Sequence, residues 1–414
     1  MRKTIPLDQL KIGMTVMGMD KSWLETPFLR HRVRITRRAQ IDKLKRAGVR
    51  FVEVEGEESA EAVAAPPIGE SPDPILSQVA DEPLKRPQHH RTTTFEEELP
   101  VAHGIYRSAK GIVEAAMNDV RIGRAIDGEG VSRLVTGMVD SILRNSDALV
   151  SLSRLKSFDE YTFFHSVNTA VLSVALGRRL GFPPQTLHLL GSGTLLHDIG
   201  KTKIPLEILN KPGRFEPHEF EIMKQHALRG VEVLSATTGF QEEILRPALE
   251  HHERVDGTGY PFGRQRAELT SFGLIASIVD VYDAMTSDRC YHKGMPAHRV
   301  LQHLYDLGQD GHLDSKFVQQ FIQCVGVYPV GSCVLLDSGE AGVVSQVNEE
   351  QPVSPKLILV RDANLCTISP EAVDLRAQAT KPIRKIIAVV DSKELTIDVD
   401  MYLGAVHSHT SMPG

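Results

Sequence analysis

The sequence lacks any long apolar run. No stretch of about 18 apolar residues occurs in its 414 residues, so we expect no membrane-spanning helix. The charged start from Met1 to Asp8 has no apolar segment behind it, and we expect no signal peptide. Basic residues are also few, because 47 Lys and Arg stand against 53 Asp and Glu, giving a net charge of -6. That balance gives no reason to expect long nucleic acid as a partner. Together these absences predict a cytoplasmic protein.

Cysteine is scarce and irregularly spaced. The four cysteines, Cys290, Cys324, Cys333 and Cys366, form no CxxC pair, so neither a disulfide framework nor a zinc ribbon is indicated. We therefore expect reduced thiols. The hydrophobic share of 41% and the charged share of 24% are ordinary for a globular protein. The length suits two or three domains, at roughly 150 residues per domain.

Composition changes along the chain and predicts four segments. Residues 1–55 mix short apolar alternations with a helix-like stretch at 38–47, which predicts a small α+β accessory module. Residues 56–93 are rich in Glu, Ala, Pro and Ser and predict a flexible linker. Helical periodicity extends over 94–326, and short β-prone runs over 327–405 predict a small β-rich appendage. The expected fold class is mainly α, a helical bundle with a small N-terminal α+β module and a small C-terminal β appendage.

The helical region divides into separate helices at its caps, prolines and glycines. The predicted helices are Tyr106–Met117, Gly130–Asn145, Ser166–Leu180, Pro184–Ile199, Pro217–Leu234, Gln241–Glu253, Ser271–Thr286, Ala297–Leu307 and Ser315–Val325.

Histidines and aspartates stand at the ends of these helices or inside their apolar runs. His197-Asp198 and His251-His252 are adjacent pairs. Neighbouring side chains on a helix point about 100° apart, so such a pair suits two ions side by side better than one. Asp280 lies inside an apolar run, and a buried carboxylate must be paired or metal-bound.

A lone histidine on a helix is more often a hydrogen-bonded core or surface residue than a metal ligand. We give that interpretation to His188, His218, His298, His303 and His312. The candidate metal ligands are His165, His197, Asp198, His226, His251, His252 and Asp280. Five imidazoles and two carboxylates exceed one tetrahedral site and suit two first-row transition ions. Fe or Mn fits this mixture better than Mg, which prefers oxygen ligands. Two ions about 3.5–4 Å apart activate a water and clamp a phosphoryl oxygen.

Lys201 lies one helical turn after His197 if the helix continues that far. An ammonium there would neutralise the charge that grows on a phosphoryl group, or protonate the leaving alkoxide. The alternative is a solvated lysine at a helix end. Because Lys201 lies beside His197-Asp198, we favour the functional role.

The loop from Asp256 to Pro261, directly after His251-His252, holds two glycines and a proline and predicts a tight turn. This turn either joins two helices or forms the rim of a pocket.

These residues resemble the HD superfamily of metal-dependent phosphohydrolases, and more narrowly its HD-GYP subgroup. The resemblance extends over His165, the HDIGK string at 197–201, His226, the HHERVDGTGYP string at 251–261 and the DVYDAMT string at 280–286. It implies an HD-domain helical bundle. It also implies a phosphodiesterase that opens cyclic di-GMP to linear pGpG and, in some members, cleaves on to GMP. Residues 1–55 resemble the small module that often precedes HD-GYP domains in bacterial proteins.

The resemblance also implies the role of each ligand. One metal ion would be held by His165, His197 and Asp280. The other would be held by His226, His251 and His252. Asp198 would bridge the two ions and, with Lys201, would be catalytic.

For the substrate, the resemblance implies contacts from three places in the chain. Lys201 falls where the family has a lysine that touches the substrate phosphate. Arg289 matches a phosphate-binding arginine, whose fork suits bidentate contact, and Lys293 lies beside it as a second basic group. The GYP loop, Gly259-Tyr260-Pro261, would border the substrate. In the family this loop is also proposed as a docking surface for a signalling partner protein.

Two positions depart from the family pattern. Where some members place a Glu and bind a third metal, this chain has Tyr161, with Glu160 one residue away, which argues against a third metal. After Arg289, Cys290 replaces a proline and His292 a basic residue, with Lys293 next to it.

Two other functions stay open at this point. One is a receptor that binds the dinucleotide without cutting it, although such relatives have lost ligands that this chain keeps. The other is an HD hydrolase acting on a different phosphoester, such as a nucleotide or a hybrid cyclic dinucleotide.

Overall fold

The structure is a computed structural model. It describes residues 2–11, 14–19, 33–35, 38, 41, 44–45, 49–55, 92–153, 161–287, 294–348, 351, 353–378, 383–390, 392–399 and 401–402. The predicted linker at 56–93 lies outside these residues except for its last two positions. The chain forms two compact units, Met1–Gly69 and Glu70–Gly414.

The first unit is built on a small antiparallel sheet of four strands, in the order β1-β4-β2-β3. The strands are β1 (Arg2–Pro6), β2 (Thr15–Met19), β3 (Val33–Arg34) and β4 (Phe51–Glu55). In β4, Val52 and Val54 are buried while Phe51, the first residue of the strand, is exposed, as the two-residue period of a half-buried strand requires. The described residues between 38 and 45 are helical, and Ile41 and Leu44 pack into the same core.

The second unit begins with a series of helices that follows the predicted order. They are α1 (Phe95–Arg121), α2 (Gly128–Leu152), α3 (Tyr161–Arg179), α4 (Pro184–Leu195), α5 (Leu206–Leu209), α6 (Pro217–Lys224), α7 (His226–Ser235), α8 (Glu242–Glu250), α9 (Ser271–Thr286), α10 (Ala297–Gln309) and α11 (Ser315–Val325). None of the helices in the described ranges is both long enough and apolar enough to cross a membrane.

Helix α1 begins well before the predicted start at Tyr106. Its first turn is closed by a capping box, in which the Thr94 hydroxyl accepts from the Glu97 amide and the Glu97 carboxylate accepts from the Thr94 amide. Glu98 in the next position is 1% exposed and receives two 2.8 Å hydrogen bonds from the Arg144 guanidinium of α2. This pair, in which Glu98 is buried and Arg144 is partly exposed, joins α1 to α2.

The chain ends in a second antiparallel sheet, in the order β8-β7-β6-β5-β9. Its strands are β5 (Cys333–Leu336), β6 (Ala341–Gln346), β7 (Lys356–Arg361), β8 (Thr367–Asp374) and β9 (Ile386–Val390). The three inner strands bury side chains on both faces, which is why they form continuous apolar runs. The predicted fold class is confirmed, whereas the division into four segments with their limits stays a prediction.

Candidate metal centre

The turn that carries His197 and Asp198 follows directly after α4. The predicted helix over Pro184–Ile199 is wrong in its last turn, because α4 ends at Leu195 and a 3₁₀ turn covers Ile199–Lys203. A close main-chain approach explains this. A Cβ on Gly200 would lie 1.9 Å from the His226 carbonyl oxygen and 2.4 Å from the Gly230 nitrogen. The chain therefore passes against α7 at a glycine instead of continuing as a helix.

The other candidate ligands lie on three helices and directly after the end of a fourth. His165 is inside α3 rather than at its start, and the segment predicted as one helix over Pro217–Leu234 is divided at Gln225, so that His226 opens α7. His251 and His252 follow the last residue of α8. Asp280 lies within α9, whose limits match the prediction.

The structure brings six of the seven candidate ligands together in two groups of three, and Asp198 lies between these groups. In each group the possible ligand atoms lie within 4.8 Å of one another. The first triad is His165, His197 and Asp280. The second triad is His226, His251 and His252. A third such group, His197, Asp198 and His251, joins the two triads.

Asp198 stands between the triads with one carboxylate oxygen toward each. Its Oδ2 lies 3.7 Å from His165 Nε2 and 3.5 Å from His197 Nε2. Its Oδ1 lies 3.6 Å from His226 Nε2 and 3.7 Å from His251 Nε2. This is the arrangement that a carboxylate bridging two cations requires.

Hydrogen bonds on the outer ring nitrogens hold four of the histidines in place. His165 Nδ1 donates to Asp283 at 2.8 Å, and His197 Nδ1 to the Thr194 carbonyl at 2.7 Å. His226 Nδ1 donates to the Met223 carbonyl at 2.6 Å, and His251 Nδ1 to the Pro247 carbonyl at 2.8 Å. Donation at Nδ1 directs the Nε2 lone pair of each ring into the cluster, which is the usual support of a metal-binding histidine.

The chemistry of the cluster fits metal ions. Within the described part of the chain, His197 Nε2 and Asp198 Oδ1 are buried and have no hydrogen-bond partner. Buried polar atoms are rarely left in this way, because each costs free energy unless a partner or an ion satisfies it. Both atoms point into the cluster, where a divalent cation would satisfy them.

Burial keeps the second triad neutral. It lowers the pKa of His226 to about 4 and of His251 to about 3, and it holds the pKa of His252 well below the usual value. A neutral imidazole is the form that binds a metal.

The first triad differs at His165. Burial also lowers the pKa of His165, but hydrogen bonds to Asp280 and Asp283 outweigh it and raise the pKa to about 9. Its Nε2 lies 3.2 Å from Asp280 Oδ1, so a proton there occupies the place between two ligand atoms that a cation would take.

Both aspartates stay ionised although they are buried. Burial raises the pKa of Asp198, but the charge of Lys201 and the neighbouring histidines outweigh this effect and hold the pKa well below its usual range. For Asp280 the hydrogen bond and charge of His165 have the same result. The cluster therefore offers two carboxylates to a cation.

Lys201 contacts the cluster from the 3₁₀ turn. Its Nζ lies 2.5 Å from Asp198 Oδ2, and its side chain is 33% exposed, so the ammonium stands between the cluster and solvent. Arg289 and Lys293 lie outside the described residues, as does Glu160, and the side chain of Tyr161 is not described. Their predicted roles remain predictions.

The GYP loop folds back on the end of α8. A Cβ on Gly259 would lie 2.4 Å from the Arg254 nitrogen and from Glu253 Cα, so only glycine fits there. The Glu253 carboxylate accepts from the main-chain amides of Phe262 at 2.7 Å and Arg264 at 3.0 Å, which follow the loop in the chain.

That fold places the Tyr260 ring on His252, with ring centres 4.5 Å apart. The Tyr260 amide donates to the His252 carbonyl at 3.2 Å, and Pro261 follows through a cis peptide bond. The loop thus covers one ligand of the second triad.

Sequence patterns missed several residues that support the site. Asp283 holds His165, and Asn168 Nδ2 donates to Asp283 at 3.0 Å. Both lie three residues after a candidate ligand on the same helix, so the spacing was a usable signal. His312, interpreted as a hydrogen-bonded residue rather than a metal ligand, does contact Asp256 Oδ2 through Nδ1 at 2.5 Å, and Asp256 opens the turn that leads to the GYP loop.

Comparison with known proteins gives the family. Residues 142–317 match the HD domain, and residues 2–131 match a domain of unknown function (DUF3391). A cyclic di-GMP phosphodiesterase of Pseudomonas aeruginosa is 35% identical over 385 residues, which cover 91% of this chain and 89% of that protein. A cyclic di-GMP phosphodiesterase of Thermotoga maritima is 36% identical over 163 residues, 39% of this chain and 44% of that one. A 3′3′-cGAMP-specific phosphodiesterase of Vibrio cholerae is 33% identical over 171 residues, 41% and 39% of the two chains.

The helical bundle and its buried cluster of histidines and aspartates define a phosphohydrolase of the HD superfamily, a class that depends on divalent metal ions. Within that class, the chain belongs to the HD-GYP phosphodiesterases, since a phosphodiesterase matches it over nearly its whole length.

Proposed function

We propose that this chain hydrolyses cyclic di-GMP to linear pGpG at a centre of two divalent metal ions. The observation that carries the proposal is the position of Asp198, whose two oxygens face one triad each. The relative that spans this chain is a cyclic di-GMP phosphodiesterase, which supports the substrate.

We assign the ions to the two triads, with Asp198 as the bridge. A mixture of imidazole and carboxylate ligands favours Fe or Mn over Mg. Two such ions supply a water that is nucleophilic at neutral pH and Lewis-acid stabilisation of the phosphoryl oxygens.

The chain's own residues then orient the reaction. Hydrolysis adds water across one P–O3′ bond, so that phosphorus gains an oxygen and the O3′ alkoxide gains a proton. Among the residues that the structure describes, Lys201 has the cationic group closest to Asp198 Oδ2, and its side chain is open to solvent on one side. We assign it to neutralising phosphoryl charge and to delivering the proton to O3′.

We assign Arg289 and Lys293 to binding the second phosphate, and Gly259, Tyr260 and Pro261 to the wall of the substrate pocket. The stacking of Tyr260 on His252 supports the wall. Docking of a signalling partner at this loop stays a prediction, because the contacts of Gly259 and Glu253 already explain the loop by its own folding. The cytoplasmic location also stays a prediction.

The experiment is turnover of cyclic di-GMP by protein purified without oxygen and loaded with Fe or Mn, with products separated by chromatography. Asp198→Ala removes the bridge, and activity should fall by on the order of 10³-fold or more, as for other essential groups. Asp140→Ala, an exposed aspartate of α2, is the matched control and should leave turnover near the wild-type rate. An Asp198→Ala protein as active as the wild type would contradict the two-metal assignment.

A second substrate is tested in the same assay. The relatives of Vibrio cholerae that are specific for 3′3′-cGAMP match about two fifths of this chain or slightly less. If this chain cleaves 3′3′-cGAMP and leaves cyclic di-GMP intact, the substrate assignment is wrong and the metal centre is unaffected.

A further inference from the structure

A chain of hydrogen bonds leads from helix α1 to the first triad. The Tyr106 hydroxyl donates to Asn168 Oδ1 at 2.7 Å, and Asn168 Nδ2 donates to Asp283 Oδ1 at 3.0 Å. Asp283 Oδ2 in turn accepts from His165 Nδ1 at 2.8 Å. Four side chains from three helices, α1, α3 and α9, are joined in this way.

Each link of this chain has a fixed direction. Burial raises the pKa of the Tyr106 phenol, and the charge of Asp283 raises it further, so the hydroxyl remains a donor. Because Asn168 Oδ1 accepts from the Tyr106 hydroxyl, the amide nitrogen of Asn168 is the group that donates to Asp283. The Tyr106 hydroxyl and the Asp283 carboxylate therefore favour the same orientation of the amide, and removing the hydroxyl takes away the donor that holds Asn168 Oδ1.

The Tyr106 ring is itself held in place. It stacks on Phe164, the residue before His165, with ring centres 5.5 Å apart and planes 12° apart. Asn168 and Asp283 are each 1% exposed, so water does not replace the links between them easily.

Tyr106 lies outside the part of the chain that matches the HD domain. That match covers residues 142–317, whereas Tyr106 belongs to the preceding match over residues 2–131. A carboxylate bonded to the outer nitrogen of a metal-binding histidine fixes its ring and raises its donor strength. Here that carboxylate is Asp283, and the hydrogen bonds that support it extend through Asn168 to Tyr106 on α1, in the region before the HD match.

We propose that Tyr106 is a positioning residue of the metal centre, which acts through Asn168 and Asp283 on His165. It follows that α1 is a working part of the metal-binding domain and that a displacement of α1 changes metal affinity. The proposal rests on the metal centre proposed above, but it does not depend on the identity of the substrate.

The test is the substitution Tyr106→Phe, which keeps the ring and its stacking and removes only the hydroxyl. Loss of an outer partner typically costs 10–100-fold in metal affinity. Because Tyr106 is three hydrogen bonds away from His165, we expect the lower end of that range, about 10-fold weaker binding of Mn²⁺ at one of the two positions. Affinity is measured by titrating Mn²⁺ into the metal-free full chain without nucleotide. At limiting metal kcat should fall with KM for cyclic di-GMP unchanged, and added Mn²⁺ should restore kcat.

The matched control is Val113→Ala, a buried residue of α1 that makes no hydrogen bond through its side chain. It should lower the melting temperature and leave Mn²⁺ affinity at the wild-type value. A double variant gives a second check. If Tyr106 acts only through Asn168, then Tyr106→Phe with Asn168→Ala should bind Mn²⁺ no more weakly than Asn168→Ala alone.

Two results would overturn the proposal. One is wild-type Mn²⁺ affinity in Tyr106→Phe together with a lower melting temperature, as in the Val113→Ala protein. The other is full additivity of the two losses in the double variant, which would mean that Tyr106 acts by a separate route. Since Mn²⁺ binding is measured without nucleotide, neither result bears on the substrate assignment.

Discussion

The two triads on either side of Asp198 are built from similar residues but are held differently. In the first triad His165 donates to a carboxylate, and a second carboxylate, Asp280, is itself a candidate ligand. In the second triad all three candidate ligands are imidazoles, and His226 and His251 donate to main-chain carbonyls. The pKa values show the result, since burial lowers those of the second triad while the carboxylates raise that of His165 to about 9.

This difference shows how two groups that consist mainly of histidines can form two unequal metal positions. With Asp198 counted at both, the first position has two carboxylates and the second has one. More negative charge binds a divalent cation more tightly. Above pH 9, where His165 has lost the proton that competes with a cation, we therefore expect the first position to fill at a lower metal concentration than the second.

The largest effect should come from removing one histidine from either triad. His165→Ala and His226→Ala should each lower the metal content from two ions to one and reduce turnover by on the order of 10³-fold, because the reaction needs both ions. Metal analysis and the turnover assay check this. His218→Ala, an exposed histidine of α6, is the control. If either variant kept most of its activity with one ion, only one of the two metal positions would be catalytic and the other would be structural.

A smaller effect is expected at Lys201, which contacts the Asp198 oxygen that faces the first triad. Lys201→Ala should lower kcat by on the order of 10²-fold, the typical cost of removing one group that stabilises transition-state charge. Metal content should stay at the wild-type value. Lys203→Ala is the matched control, because Lys203 lies in the same 3₁₀ turn but donates to the Val120 carbonyl. Loss of metal in Lys201→Ala would show that the lysine holds the bridge rather than the substrate.

The smallest effect concerns the stability of the metal-free protein. Unfolded histidines take up protons near pH 6.5, whereas buried His226 does so only near pH 4, so the folded state loses stability as the pH falls below about 6.5. By pH 5 the loss from His226 is about 2 kcal/mol. The contribution of His165 to the stability of the folded state changes with pH in the opposite direction. Because its pKa is raised, this contribution is complete below pH 6.5 and is lost as the pH rises through about 9.

Thermal unfolding of the metal-free protein between pH 4.5 and 9.5 measures both slopes. We expect a maximum in Tm near pH 6.5, with the acid slope reduced in His226→Gln and the alkaline slope reduced in His165→Gln. A flat profile would mean that the two triads do not differ in protonation as described.

Residue types and strings were enough to predict which histidines and aspartates would cluster, but they did not predict the residues that support the cluster. All seven candidate ligands were found from adjacent pairs, apolar context and the family strings, and α9 was predicted to the residue. The end of α4 was missed because Leu196 and Ile199 continue the apolar period of the helix. Only the approach of α7, which is distant in sequence, ends the helix there.

Other misses have equally physical causes. Strand β8 was not predicted because it is an edge strand with mostly exposed side chains and contains Pro370, which an edge tolerates. Tyr106 is 62 residues away from Asn168 in the chain, and no local pattern relates the two.

The contact at Gly200 has a consequence for the whole centre. The main chain that carries His197 and Asp198 rests there directly on the first turn of α7, which carries His226. Any side chain at position 200 would push the two segments apart and widen the gap between the places assigned to the two ions. We therefore expect Gly200→Ala to reduce turnover although every candidate metal ligand is kept.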